Sequence, residues 1–128
     1  MVLKMEKQYA VYLPVVGEPQ VIEFKAKEEG LDFYYKTIHC DTIDIVNTTE
    51  QGYCLVVDDE GLFKETPRVN LLASIMYGVM SHGQPLVGDA LLCADEVTED
   101  GIETVGFAKE KASHIAEMLK GFVFRTED

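Results

Sequence analysis

Thr42-Ile-Asp-Ile-Val-Asn47 and Tyr53-Cys-Leu-Val-Val-Asp58, joined by Thr48-Thr-Glu-Gln-Gly52, decide how this chain is read. Ile43 and Ile45 alternate with Thr42 and Asp44, the period of two expected of a half-buried strand. Leu55-Val-Val57 is apolar on both faces and predicts a strand in the sheet interior. The connector has the length and the glycine of a hairpin loop. A hairpin here points to a mostly antiparallel sheet.

Upstream, Gln8 to Val15 and Gln20 to Ala26 read as two further strands, with Gly17-Glu18-Pro19 as the turn between them. In the second of them Ile22, Phe24 and Ala26 share one face, and Glu23 and Lys25 the other. Leu31, Tyr34, Tyr35 and Ile38 recur at helical spacing, so the pattern predicts a helix over Glu28 to Ile38, weakened by Gly30.

Downstream, Asp58-Asp-Glu-Gly61 reads as a turn, and Thr66-Pro67 supplies a capping hydroxyl followed by proline, the pattern of a helix start. Leu71, Leu72, Ile75 and Met76 give that helix its apolar face, and Gly78 is its expected end. After the Ser81-His-Gly-Gln-Pro85 loop, strands are predicted over Leu86 to Ala94 and Ile102 to Phe107. Ala108, Ala112, Ile115 and Leu119 then mark a terminal amphipathic helix, with Gly121 at its C-cap and Phe122-Val-Phe124 as a short added strand. The whole reads as one α+β domain over residues 1–128, a mostly antiparallel sheet of hairpins with about three helices packed on one face.

Composition narrows the function. With 128 residues and 47% hydrophobic content, the chain can bury a core without disulfide or metal staples. Its longest apolar stretch, Leu71 to Met80, is broken by Ser74 and Gly78 and is short for a membrane span. Met1 to Lys7 lacks the apolar core of a signal peptide, so a cytoplasmic location is expected. Three cysteines without a Cys-x-x-Cys pair predict reduced thiols, and Cys54 and Cys93 lie in apolar runs where cysteine packs as a small hydrophobe. A net charge of −12, with no Lys or Arg between Arg68 and Lys109, argues against nucleic-acid binding.

The candidate sites are few. Lys64, Arg68 and Asn70 surround the Thr66-Pro67 helix start, where free N–H groups and two cations would suit an anion. The competing reading is an exposed cap with solvated charges. Gln84, in the glycine-bearing loop before Asp89, is placed beside them as a further ligand-binding residue. His39-Cys40-Asp41 contains the residue types of a thiol catalyst, but adjacent residues cannot chelate one tetrahedral ion, and His82 and His114 add no paired spacing. No metal, cofactor or catalytic residue is expected; an enzyme working through Cys40 or His82 is the least supported alternative. The acidic clusters Asp58-Asp59-Glu60 and Asp95 to Glu103 read as solvated turns or as a face that docks on a basic partner.

Leu55-Val-Val-Asp-Asp-Glu-Gly-Leu-Phe-Lys64, Pro67-x-x-Asn70-x-x-Ala73 with Tyr77-Gly78, and Gln84-Pro-Leu-Val-Gly-Asp89 occur in this order. Together they resemble a family of small proteins of unknown function from phages and mobile elements, largely of Firmicutes, over residues 8 to 120. The resemblance implies a protein that acts against host defence, by analogy with the Thoeris anti-defence sponges that hold cyclic nucleotide signals between subunits. The first expectation is therefore a non-enzymatic homo-oligomer that sequesters a small phosphorylated ligand, such as a cyclic nucleotide, through Lys64, Arg68, Asn70 and Gln84. The second is an acidic module that inhibits a host DNA- or nucleotide-handling enzyme.

Overall fold

The computed structural model describes residues 7–61, 68–78 and 83–121. Six strands, β1 (Gln8–Leu13), β2 (Gln20–Phe24), β3 (Ile43–Asn47), β4 (Tyr53–Asp58), β5 (Ala90–Thr98) and β6 (Gly101–Val105), form one sheet. Their order is β2-β1-β5-β4-β3, with β6 also pairing to β5, and every pairing is antiparallel. Four helices among the described residues complete an α+β fold: α1 (Ala26–Glu29), α2 (Leu31–Ile38), α3 (Leu71–Tyr77) and α4 (Lys109–Lys120).

The Thr42–Asp58 hairpin is β3–β4, with Ile45 opposite Val56. β4 lies between β3 and β5, and its Cys54, Leu55 and Val56 are fully buried. Alternation sends Leu55 and Val57 to one face, where Val11, Leu13 and Leu92 meet Ala73 of α3 and Ala112, Ile115 and Leu119 of α4. It sends Cys54 and Val56 to the other, where Ala10, Phe24, Leu91 and Cys93 meet Phe33, Tyr34 and Ile38 of α2. The helices therefore cover both faces of the sheet, not one as expected. The reason was already present in Leu55-Val-Val57: a strand apolar on both sides needs cover on both, and each buried leucine contributes roughly 2 kcal/mol.

Several boundaries move: β1 ends at Leu13 and β2 at Phe24, each two residues early, and Ala26, expected in a strand, opens α1. The helix predicted over Glu28 to Ile38 is split at Gly30, whose φ of 67° and ψ of −148° only glycine adopts readily. The helix start expected at Thr66-Pro67 falls at Asn70 instead; Thr66 and Pro67 lie outside the described residues. Val69 forms an isolated antiparallel bridge to Val87, which keeps the chain extended until Asn70 caps α3. Gly78 ends that helix in the left-handed conformation, as its position suggested.

β5 begins four residues later than expected and runs four further. Leu86 is held off the sheet by Ser74, whose Oγ accepts from the Leu86 N–H at 2.8 Å. At the other end Asp95 to Thr98, acidic and read as a turn, instead continue the strand and pair with β6 through Asp95↔Thr104, Glu96↔Glu103 and Val97↔Ile102. Phe122-Val-Phe124 lies outside the described residues.

Candidate functional site

Of the residues singled out for a phosphorylated ligand, Lys64 lies outside the described residues. Arg68 is exposed, and its carbonyl accepts from the Gly88 N–H at 2.8 Å. Asn70 is 1% exposed. Its Nδ2 donates to the carbonyls of Leu13 and Gly88, both at 2.9 Å, and its Oδ1 accepts from the Ala73 N–H at 3.0 Å. Both amide protons and the carbonyl oxygen are thus engaged by the fold. Asn70 caps the first turn of α3 by taking up the Ala73 N–H, so its own side chain serves the fold and is not offered to an anion there.

Gln84 is exposed on the rim of a cleft of about 150 Å³, shared with Asp44, Asp58, Asp59, Tyr77 and Pro85. Three carboxylates around so small a space repel a phosphate rather than attract it. A larger cleft, about 600 Å³, lies between β1, β2 and the start of α4, lined by Lys7, Lys27, Glu23, Glu28, Phe24 and Phe107. Gly106 is also part of its lining. A Cβ there would come within 2.7 Å of Gln8 Cβ and 2.9 Å of the Tyr9 backbone nitrogen, so the β6–α4 connection can pass only as glycine. The sequence offered no signal for this cleft, because its residues are up to a hundred positions apart.

His39-Cys40-Asp41 is pulled apart by the end of α2. His39 takes the left-handed conformation, φ 59°, as the C-cap, and its Nδ1 lies 3.1 Å from Asp89 Oδ2, while Cys40 turns inward and is buried. Asp89 also accepts from Tyr12 Oη at 2.7 Å and from the Val15 N–H at 2.9 Å. Burial, with the neighbouring Asp89 carboxylate adding to it, pushes the Tyr12 phenol well above its ordinary value. This network ties β1, the end of α2 and the entry to β5 together. It leaves Cys40 without the accessible, electropositive setting that a nucleophilic thiol needs.

The other two thiols face each other across β4 and β5, Cys54 opposite Cys93, both fully buried. Burial first, and the Asp95 carboxylate second, push Cys54 up to about 12. Burial raises Cys93 as well. Both are inert packing residues. Among the described residues, no group of three or more His, Cys, Asp or Glu side chains is placed to hold a metal ion.

The β5–β6 ribbon stands apart from these sites. Beyond Asp95, whose N–H still donates to the Gly52 carbonyl, β5 pairs with β6 alone among the described residues. Val97 and Ile102, directly paired, are 82% and 72% exposed. On the opposite face of the ribbon Glu96 stands directly across from Glu103, both exposed, and Glu99 and Asp100 occupy the tip.

The fold and these surfaces define an α+β domain with one antiparallel sheet sandwiched between helices and a projecting acidic ribbon. The chain belongs to the DUF3846 family, a domain of unknown function, whose family model matches residues 7–120. No curated protein and no solved structure matches it. No helix among the described residues is long and apolar enough to cross a membrane.

Proposed function

We propose that this domain acts by binding rather than by chemistry, as an acidic module that docks on the basic surface of a DNA- or nucleotide-handling protein and blocks it. The observation that carries this reading is the placement of Asp95, Glu96 and Glu103 on paired strands. Held there, the carboxylates form a fixed array instead of a solvated turn. The resemblance to phage and mobile-element proteins would put the partner in a host cell. The net charge of −12 steers the domain towards cationic surfaces and away from nucleic acid itself. The test is a salt titration of the complex with the partner. Raising ionic strength should slow association, and reversing Glu96, Glu99, Asp100 and Glu103 to lysine should abolish it, while Arg68→Ala leaves it intact; a complex indifferent to both salt and charge reversal rejects the reading.

A second reading, sequestration of a small phosphorylated ligand such as a cyclic nucleotide, is favoured by one observation. The 600 Å³ cleft beside Lys7 and Lys27 has the room that a nucleotide needs. Native mass spectrometry of untreated protein, followed by calorimetric titration with cyclic dinucleotides, decides it. Retained nucleotide mass or binding heat supports sequestration, and silence in both rejects it.

A further inference from the structure

Resting on the protein-docking reading, we propose that the β5–β6 ribbon is the docking element and that its two faces have different tasks. Val97 and Ile102 enter an apolar slot on a basic protein, and Glu96 with Glu103 closes on an arginine or lysine at the rim of that slot.

Leu91, Cys93, Asp95 and Val97 alternate onto one face of β5, and Ile102 and Thr104 of β6 share it. Over Leu91 and Cys93 that face is covered by α2, and both are fully buried. At Val97 the cover has ended among the described residues, and the exposed Val97–Ile102 pair is set off from the buried part of that face by Asp95 and Thr104. Valine and isoleucine favour strands wherever they stand, but here they are the most exposed large hydrophobic residues of the described chain.

The charged half comes from the other face. Like charges directly opposite in an antiparallel pair destabilise it, and Glu96 and Glu103 are such a pair. The sequence between Arg68 and Lys109 contains no cation to relieve them, and among the described residues no lysine or arginine pairs with them. A guanidinium bridging the two carboxylates would remove the repulsion and gain charge-assisted hydrogen bonds. This selects the occupant. A second copy docked on the apolar face would bring the two Asp95 carboxylates towards each other and leave Glu96 and Glu103 unrelieved on the outer face, at a net charge of −12 each, whereas a basic partner satisfies both faces at once.

The test uses the full chain with benzoyl-phenylalanine at position 97, irradiated in host lysate, and the same probe at exposed Met118 as control. The expected result is an adduct specific to position 97, whose sequenced peptide has apolar residues flanked by Lys or Arg. Binding of that purified partner should then weaken about tenfold or more in a V97T/I102T variant, with the thermal midpoint unchanged because threonine keeps the strand propensity. An adduct to the chain itself, an adduct on an acidic or wholly polar peptide, or full affinity in V97T/I102T overturns the ribbon assignment. If the partner still binds in a salt-sensitive way and is lost only on reversing Asp44, Asp58 and Asp59, the docking function stands and the ribbon falls. If no protein complex forms with either probe, both fall.

Discussion

The side-chain nitrogen of Asn70 lies 2.9 Å from the carbonyl oxygen of Leu13, at the end of β1 and 57 positions earlier in the chain. One buried amide therefore fastens the start of α3 to β1, to the Gly88 carbonyl and to its own first helical turn. Asn70→Ala would strand two buried acceptors and one donor. The expected loss is about 3 kcal/mol in urea denaturation. Asn70→Asp keeps the cap but its carboxylate can donate to neither carbonyl, so it should also destabilise, while Arg68→Ala, two residues earlier and exposed, should leave the midpoint unchanged.

Gly106→Ala places a methyl against Gln8 Cβ, Phe24 Cβ and the Tyr9 nitrogen, all under 3.0 Å from it. Backbone and the stiff base of a side chain cannot yield cheaply, so a loss of about 1–3 kcal/mol is expected in thermal or urea denaturation. A variant as stable as the parent would show that the β6–α4 connection relaxes.

Cys54 links stability to alkaline pH. Its pKa rises from an ordinary 9.0 to about 12 in the fold, so the folded state holds a proton that the unfolded state releases. Its contribution is fully present below pH 9 and is lost as pH climbs from there towards 12. Thermal midpoints measured from pH 7 to 11 should be level and then fall. Cys54→Ser, or Cys54→Ala with Cys93 kept, should blunt the fall. The same burial predicts that a chromogenic thiol reagent labels neither Cys54 nor Cys93 until the protein is unfolded.

Tyr12→Phe removes the hydroxyl that Asp89 accepts from at 2.7 Å. Asp89 keeps its bond from the Val15 N–H and its contact with His39, so the expected cost is about 1 kcal/mol. Asp89→Ala strands the Tyr12 hydroxyl and the Val15 N–H together and should cost more. Equal costs in chemical denaturation would mean that the three contacts do not act through one carboxylate.

Much of the fold could be read locally because local patterns carry it. The β3–β4 hairpin, the interior position of Leu55-Val-Val57 and the helix through Ala112, Ile115 and Leu119 follow from periodicity alone. The outer half of β5 did not, since Asp95 and Glu96 are poor strand formers and interrupt the apolar alternation there. The start of α3 was misplaced because Thr66-Pro67 carries a stronger local signal than Asn70. What decides the matter is nonlocal: the Val69↔Val87 bridge and the Leu13 and Gly88 carbonyls. The same remoteness hid the Tyr12–Asp89–His39 network, in which Asp89 is 77 positions from Tyr12 and 50 from His39.

β5 is one unbroken strand with two lives. Leu91 and Leu92 lock its inner half into opposite cores, and a slip of one residue would swap them and drive both into the wrong layer. The outer half inherits that lock without contributing to it. Its sequence can therefore change, residue by residue from Glu96 to Glu103, without refolding the body that holds it, and under the proposed docking role such changes would re-aim the surface while leaving the two cores as they are.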